Sequence, residues 1–318
     1  MEGYDVIGDI HGSATKLEVL LNKLDYELDE VTDAYRHPQR TVIFVGDLID
    51  RGREQLRVLE IAKAMADAGT AQLVMGNHEF NAIAYATEWP ARSGKFLRPR
   101  TEKNDHQHHA FLEQVTGPRY AQYISWFRSL PLWLELDGLR VVHACWHQPS
   151  MDIVTTALGG NRFTSDDQLA RASDPNDPLF TAVEVLLKGP EVSLVDHGQP
   201  AYLDKDGVAR ERARIRWWAA DATTLRDVAM LDRTFTTADG SAYPDLPHLP
   251  VRAESRSYVY DGDVPVLFGH YWRTGTPAHL EDWTARTACL DFSAVRDGDL
   301  TAYRWSGEPE LREENFVQ

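Results

Sequence analysis

Side chains that can bind metal ions recur in this sequence at the ends of short apolar segments. Asp9 and His11 follow Tyr4–Ile7, and Asp47 follows Val42–Val45. Three more segments end in the same way, with Asn77-His78 after Ala71–Met75, His143 closing Leu139–His143, and His270 after Val264–Phe268. Carboxylate, imidazole and amide oxygen are suitable ligands for Mn²⁺, Fe or Zn²⁺. The pattern therefore indicates a metal site that several strand ends share.

Two more charged residues lie in the same loop as Asp47. Asp50 follows it by three residues, and Arg51 comes next. Neither has an obvious packing role at the end of a buried strand, which is where open α/β sheets bind their ligands. The loop 46–52 is therefore expected to carry chemistry.

Three strand–loop–helix units must position these side chains. The helices are predicted over residues 14–24, 53–68 and 77–87, and residues 25–40 are expected to form a loop. Alternation of strands and helices favours an α/β fold with parallel strand pairing. The carboxyl ends of such strands are the usual place for ligands, so their loops would meet at the site.

The pattern is less regular after residue 87. The later predicted elements are helices over 105–115, 118–129 and 181–188, a hairpin of 132–136 with 139–143, a strand over 264–268, and a hairpin of 286–292 with 299–305. The hairpin turns are assigned to Asp137-Gly138 and Asp297-Gly298. Residues 221–256 give no clear pattern.

The composition limits the class of protein. The chain has 318 residues, of which 43% are hydrophobic, and its net charge is −16. That acidity opposes binding along a nucleic-acid backbone but allows a small phosphate ligand in a local cationic pocket. Only two cysteines occur, no apolar run is long enough to span a membrane, and the N-terminus has no signal-peptide pattern. We expect a cytoplasmic protein without membrane or extended nucleic-acid partners.

Three glycine-led motifs follow the first three predicted strands. They are Gly8-Asp9-Ile10-His11-Gly12, Gly46-Asp47-Leu48-Ile49-Asp50-Arg51-Gly52 and Gly76-Asn77-His78-Glu79. Together they resemble the calcineurin-like metallophosphoesterase superfamily. The Asp-Arg-Gly ending of the second motif is similar to the phosphoprotein-phosphatase branch and the related diadenosine tetraphosphatases of bacterial type. The resemblance covers residues 4–80 and the strand ends at 143 and 270.

The resemblance implies a centre of two divalent metal ions. The positions that would hold the first ion are Asp9, His11 and a bridging Asp47, and those for the second are Asp47, Asn77, His143 and His270. Mn²⁺ is the favoured ion, with Fe, Zn²⁺, Ni²⁺ or Mg²⁺ as alternatives. Such a pair of ions lowers the pKa of a bridging water, clamps phosphate oxygens and sets up in-line attack.

The resemblance also implies catalytic roles beside the metals. His78 would donate a proton to the leaving group, and Asp50 would orient it, since a carboxylate partner fixes the tautomer of an imidazole and raises its pKa. Arg51 would bind the substrate phosphate, because a guanidinium matches two phosphate oxygens. Trp272 stands where many members have a second histidine after His270, and it cannot bind the first ion.

Several cationic residues are candidates for additional phosphate contacts. They are Arg98 and Arg100 in the segment 92–103, Lys188, and Arg214 and Arg216 in a row of alternating arginines. Arg214 or Arg216 would replace an arginine that protein phosphatases carry at the position of Met75. The alternative for each candidate is a solvated surface position. The tract Asp105–His109 looks like a metal tract, but polar residues are also expected at the start of a helix.

The resemblance implies an α/β fold, a two-sheet sandwich flanked by helices in αββα layers. Residues 1–318 would form a single metallophosphoesterase domain with insertions at about 88–130 and 144–260. The expected function is hydrolysis of a phosphomonoester, on a phosphoprotein or a small molecule, by direct attack of metal-bound hydroxide. The alternatives are a hydrolase of dinucleoside polyphosphates or other nucleotides, and a catalytically weak regulatory or binding module.

Overall fold

The computed structural model describes residues 3–204, 207–231, 234–251 and 258–318. The chain divides into two units, of which the first runs up to Lys188 and resumes at Asp263, and the second is Gly189–Gly262. Both units contain strands together with helices, so the predicted α/β class is confirmed. In the part of the chain that the structure describes, no helix is both long and apolar enough to cross a bilayer.

Short strands and helices alternate along much of the chain. In the described ranges the strands are β1 (Gly3–Ile7), β2 (Glu27–Asp29), β3 (Ala34–Arg36), β4 (Arg40–Phe44), β5 (Ala71–Leu73), β6 (Trp133–Leu136), β7 (Leu139–Val142), β8 (Glu191–Ser193), β9 (Tyr202–Leu203), β10 (Ala209–Arg210), β11 (Arg212–Ile215), β12 (Ala229–Met230), β13 (Val266–Phe268), β14 (Thr287–Cys289), β15 (Ala302–Trp305) and β16 (Phe316–Val317). The α-helices are α1 (Ala14–Lys23), α2 (Gln55–Asp67), α3 (Asn77–Ala86), α4 (Glu102–Gln114), α5 (Gly117–Arg128), α6 (Gln148–Leu158), α7 (Asp166–Ala172), α8 (Pro178–Lys188) and α9 (Leu225–Val228).

Two mixed sheets form the centre of the first unit. The larger sheet has the order β16-β15-β1-β4-β5, in which β1, β4 and β5 run parallel. The smaller has the order β14-β13-β7-β6, in which β13 lies parallel to both β7 and β14. The sheets share one apolar core, to which Val6 and Ile43 contribute from the larger sheet and Val141 and Leu267 from the smaller. This arrangement agrees with the predicted two-sheet sandwich.

Residue type explains why these segments form the elements that hold the site. Strand β4 carries Val42, Ile43 and Phe44, all fully buried, and β-branched and aromatic side chains suit a buried pleated surface. Helix α2 has an apolar stripe at helical spacing, formed by Val58, Leu59, Ile61, Ala62 and Met65. Complete burial of one large apolar side chain contributes about 1.5–3 kcal/mol. The loop between β4 and α2 is therefore held firmly at both ends.

The predicted hairpin of 286–292 with 299–305 is wrong. Strand β14 pairs with β13 in the smaller sheet, whereas β15 pairs with β1 in the larger one. The connecting segment therefore passes from one sheet to the other. Lys16 Nζ donates hydrogen bonds to the carbonyl oxygens of Ala294 and Gly298, each at 2.7 Å, and these bonds fix the crossing.

Residues 25–40 contain more structure than the predicted loop. Strands β2 and β3 pair antiparallel, with Leu28 opposite Tyr35. Each strand has only three residues, so neither offers enough alternation to be recognised in the sequence.

The second unit contains a three-stranded sheet of order β12-β11-β8 and a separate pair, β10-β9. Trp217 and Trp218 are buried and pack at right angles, with ring centroids 5.7 Å apart. These aromatic side chains therefore serve the core of the unit. The segment 221–256 includes α9 and β12, and its residues 232–233 and 252–256 lie outside the described ranges.

Candidate metal centre

Polar residues from five loops lie at one edge of the two sheets. Strands β1, β4 and β5 run parallel, so the loops that follow them bring Asp9, Asp47 and Asn77 to the same edge. Strands β7 and β13 are parallel neighbours in the other sheet, and they end close to His143 and His270. Four of these residues are buried, and His270 is half-buried.

The backbone at this edge is strained. His11, Asp47, Asp50, Arg51 and His270 all have positive φ values, between 45° and 76°. Such a conformation costs a non-glycine residue about 1–3 kcal/mol and persists only where the surrounding structure enforces it. Here the main-chain carbonyl of Asp47 accepts a hydrogen bond from the His11 N–H at 2.9 Å. Strain of this kind is typical of functional sites.

Two glycines allow neighbouring loops to approach each other. A Cβ on Gly46 would lie 2.4 Å from the Gly76 nitrogen, and a Cβ on Gly76 would lie 2.3 Å from Asp47 Oδ1. Gly46 also has a φ of 97°, which other residues rarely adopt. Glycine is therefore required at the start of both motifs.

Asp47 lies between two sets of possible metal ligands. Its Oδ2 is 3.5 Å from His11 Nε2, and its Oδ1 is 3.5 Å from His143 Nε2. The Asp47 Oδ1 atom also accepts a hydrogen bond from the main-chain N–H of His78 at 2.9 Å, which fixes the carboxylate. Ligand atoms of His11, Asp47 and His78 lie within 4.8 Å of one another, as do those of Asp47, His143 and His270. Asp47 belongs to both groups, which suits a bridging ligand.

His11 presents an unpaired nitrogen to this centre. Its Nδ1 lies 2.8 Å from the carbonyl oxygen of Ile49, which can only accept, so Nδ1 carries the proton. Burial lowers the pKa of His11 to about 3, so the ring is neutral and its Nε2 carries a lone pair. That Nε2 is buried and has no hydrogen-bond partner. A metal ion is the natural partner of such an atom.

His143 has the same tautomer as His11 and lies beside the other oxygen of Asp47. Its Nδ1 is 2.8 Å from the carbonyl oxygen of Val45, so the Nδ1–H donates there, and burial lowers its pKa and keeps the ring neutral. Its Nε2 faces Asn77 Oδ1 at 3.1 Å, and His270 Nδ1 lies 2.8 Å from the same oxygen. His143 Nε2 and Asn77 Oδ1 are both acceptors, and a cation fits between two acceptors that face each other.

Further buried carboxylates surround the two groups. Burial raises the pKa of Asp9 well above its usual value, and the charges of Asp291 and Asp47 raise it further. Burial likewise raises the pKa of Glu79 to about 7 and that of Asp291 to about 6. Bound cations would favour the ionised form of these groups. Asp291 was not among the predicted residues, although it follows an apolar segment as the others do.

His78 lies beside the candidate ligands with one ring nitrogen fixed. Its Nδ1 is 2.5 Å from Asp50 Oδ2, and its Nε2 is 3.9 Å from Asp47 Oδ2. Burial alone would lower the pKa of His78, but the carboxylates of Asp47 and Asp50 outweigh burial and raise it. A histidine held in this way suits a proton donor.

Two arginines lie against Trp272 next to the candidate ligands. The guanidinium carbon of Arg51 is 4.1 Å from the centroid of the indole ring, and that of Arg296 is 5.0 Å from it. The same indole stacks on His11, with centroids 5.6 Å apart. Both arginines are exposed, and among the described residues neither guanidinium has an ion pair or a hydrogen bond. They form a local cationic patch on an acidic protein, and Arg296 is a residue that the sequence did not reveal.

The other predicted substrate-binding residues of the first unit contact their neighbours. Arg98 donates hydrogen bonds to the side chains of Asn81 and Gln107, both at 2.8 Å. Burial lowers the pKa of Arg98, and the charge of Asp50 opposes that change, so Arg98 lies within electrostatic reach of the site. Arg100 lies over the Phe96 ring, and Lys188 forms an ion pair with Glu184.

Arg214 and Arg216 lie in the second unit. Arg214 on β11 forms an ion pair with Glu191 on β8. Arg216 Nη2 donates to the carbonyl oxygen of Arg226 at 3.5 Å. A role of either residue in binding substrate stays a prediction.

Carboxylate, imidazole and amide groups thus gather where ligands bind to an α/β sheet, and together they make a donor set for divalent metal ions. Residues 4–270 match the family described as calcineurin-like phosphoesterase. The chain belongs to that family. Enzymes of this family use a dinuclear centre of divalent metal ions.

The relatives of this chain carry two related names. PrpE of Oceanobacillus iheyensis, an asymmetrical bis(5'-nucleosyl)-tetraphosphatase, is 28% identical over 149 residues, which make up 44% of this chain and 54% of the relative. The chain thus spans about half the length of the PrpE relatives at most. A symmetrical bis(5'-nucleosyl)-tetraphosphatase of Ralstonia nicotianae is 28% identical over 316 residues, covering 96% of this chain and 90% of the relative. The solved structure of a protein serine/threonine phosphatase of Saccharomyces cerevisiae is 14% identical in sequence, with a TM-score of 0.49. The match covers 99% of this chain and 78% of the phosphatase chain.

Proposed function

We propose that this protein cleaves the phosphate chain of dinucleoside polyphosphates with two divalent metal ions held around Asp47. The symmetrical tetraphosphatase relative supports this substrate class, because its similarity extends over 96% of the chain. Hydrolysis of a phosphomonoester, the function expected from the sequence, is the competing hypothesis.

The observation that carries the proposal is the gathering of acceptors around Asp47, above all the buried and unpaired Nε2 of His11. The residues that would hold the ions are Asp9, His11, Asp47, Asn77, His143 and His270. Bound ions supply Lewis-acid stabilisation of phosphate oxygens and lower the pKa of water. We expect Mn²⁺, since oxygen and imidazole donors without a thiolate suit it.

His78 is the proposed proton donor to the leaving oxygen. Asp50 accepts from the Nδ1–H, which leaves the Nε2–H on the side of Asp47. Burial lowers the pKa of His78, but the carboxylates of Asp47 and Asp50 raise it by more. The raised pKa favours the protonated ring. This residue therefore combines the position and the protonation state that a general acid needs.

The two arginines beside Trp272 favour a substrate with more than one phosphate. Arg51 and Arg296 lie against Trp272, and among the described residues neither guanidinium has an ion pair or a hydrogen bond. A phosphomonoester offers one anionic group, whereas a polyphosphate chain offers a further phosphate to a second guanidinium. We therefore assign Arg51 to the phosphate under attack and Arg296 to a neighbouring one.

Substitution of Arg296 tests the substrate class. Enzyme loaded with Mn²⁺ is assayed on diadenosine tetraphosphate, on p-nitrophenyl phosphate and on a phosphopeptide, with Arg296→Gln and the control Arg53→Gln. Arg53 is exposed and its substitution changes the net charge equally. Arg296→Gln should raise KM for the tetraphosphate about tenfold, a loss of about 1.4 kcal/mol, and leave the aryl phosphate almost unaffected.

Three outcomes contradict this assignment. Turnover of the monoesters without turnover of diadenosine tetraphosphate establishes the competing hypothesis. An equal loss on all substrates, or the same loss in Arg53→Gln, removes Arg296 from the recognition of a second phosphate.

A further inference from the structure

One carboxylate at the site is held by two histidines. His78 Nδ1 lies 2.5 Å from Asp50 Oδ2, and His108 Nδ1 lies 2.7 Å from Asp50 Oδ1. His108 is on helix α4, in the segment 88–130 that the sequence assigned to an insertion, and it is only 4% exposed. Both oxygens of Asp50 therefore have an imidazole partner.

The protons of this cluster follow from its contacts. Burial alone would raise the pKa of Asp50, but hydrogen bonds from His108 and His78 lower it to about 2. An ionised carboxylate only accepts, so both histidines donate an Nδ1–H to it. The Nε2 of His108 is buried and has no hydrogen-bond partner, so a second proton there would be an unpaired buried donor. His108 therefore directs its Nδ1–H at Asp50, and its Nε2 has no partner among the described residues.

Helix α4 is fastened to the helix that carries His78. The Tyr85 hydroxyl of α3 donates to Asp105 Oδ1 at 2.8 Å, and its ring lies 5.4 Å from that of His108. The His108 ring also packs against Phe111, with ring centroids 4.9 Å apart. Two aromatic rings thus contact the buried imidazole and restrict its rotation away from Asp50.

We propose that His108 is a positioning residue for the hydrolytic reaction, because its Nδ1–H fixes Asp50 in the rotamer that orients His78. The proposal rests on the proton-donor role proposed for His78. It gives a function to α4, since this helix supplies the third member of the His78–Asp50–His108 cluster.

Two substitutions of His108 separate positioning from packing. Asn places its Nδ2–H where His has Nδ1–H, whereas Leu fills the space without a donor. His109→Asn is the matched control, because His109 is the next residue of α4 and is exposed. Each Mn²⁺-loaded variant is assayed on phenyl phosphate, a poor leaving group, and on p-nitrophenyl phosphate, a good one.

His108→Leu should lower kcat on phenyl phosphate about 10- to 100-fold and on the nitrophenyl ester less than about threefold, since general-acid help matters most for poor leaving groups. KM and bound metal should not change. His108→Asn should retain activity within about threefold of wild type on both esters, and His109→Asn should equal wild type.

A second measurement does not depend on turnover. In the metal-free protein, the ring-proton NMR signal of His78 Nδ1–H should be present in wild type and His108→Asn and lost or shifted in His108→Leu. Equal loss of kcat on both esters, or an unchanged His78 signal in His108→Leu, overturns the proposal. An inactive wild type with the expected NMR pattern instead contradicts the proposed function and leaves the cluster as assigned.

Discussion

Asp5 and Asp47 are buried carboxylates of the same sheet, one on β1 and the other directly after the Gly46 that follows β4. Asp5 has cations of the protein on both oxygens: Arg304 Nε donates to Oδ1 at 3.1 Å, and Arg40 Nε donates to Oδ2 at 2.9 Å. The Tyr26 hydroxyl donates to Oδ2 as well, at 3.0 Å. Its buried charge is therefore matched within the fold.

Asp47 has a different environment. Its carboxylate contacts the main-chain N–H of His78 and the ring nitrogens of His11 and His143, whose pKa values burial lowers. The ring of His78 lies farther away, with Nε2 at 3.9 Å from Asp47 Oδ2. Two further carboxylates, Asp9 and Asp291, have raised pKa values beside it. Burial of a charge is costly unless the charge is paired. The fold therefore places two arginines on the charge of Asp5, whereas we propose that metal ions complete the charge around Asp47.

The Asp5 cluster should be the more costly one to break. Asp5→Asn leaves two arginines without their counter-charge, and we expect a loss of about 3 kcal/mol in the free energy of unfolding. Urea denaturation measures this loss, with Asp67→Asn as the control, because Asp67 pairs with Lys63 at the surface and should cost less than about 1 kcal/mol. Bound metal should not change. A loss of metal in Asp5→Asn would contradict the separation of the two clusters.

The metal-free centre should gain stability when a charge is removed. Because the pKa of Asp9 is higher in the folded state than in the unfolded state, the wild type loses stability as pH rises above about 4. The Asp9→Asn variant has no carboxylate to ionise at this position and does not lose stability in this way. In a chelator, Asp9→Asn should melt about 2–4 °C above wild type at pH 8, and the advantage should be smaller at pH 5. With Mn²⁺ the order should reverse, since a ligand is lost. The same order with and without Mn²⁺ would show that Asp9 is not a ligand.

The short-range part of this structure could be predicted from sequence. Strands β1, β4 and β5 were recognisable because each is an apolar segment followed at once by a polar motif, and their parallel pairing follows from the helices between them. The partners of β14 and β15 could not be predicted, because β14 pairs with β13 and β15 pairs with the distant β1 instead of with each other. Adjacent strands in sequence favour a hairpin, and the shared core of two sheets overrides that preference.

His108 and Arg296 show why part of the site escaped detection. The tract Asp105–His109 was noticed for its histidines, but the informative feature is the stripe Asn104, His108, Phe111 and Val115, which puts one histidine on the inner face of α4. Arg296 lies in the segment that crosses between the sheets, and only the folded chain brings it to Trp272. Contacts of this kind depend on packing between elements rather than on local pattern.

Anomalous diffraction from crystals grown with Mn²⁺ tests the central claim most directly. Two peaks are predicted, one beside His11 Nε2 and one beside His143 Nε2, with Asp47 in contact with both. Crystals of Asp47→Asn should lack the pair. A single peak in wild type, or peaks that do not touch Asp47, would contradict a dinuclear centre bridged by this residue.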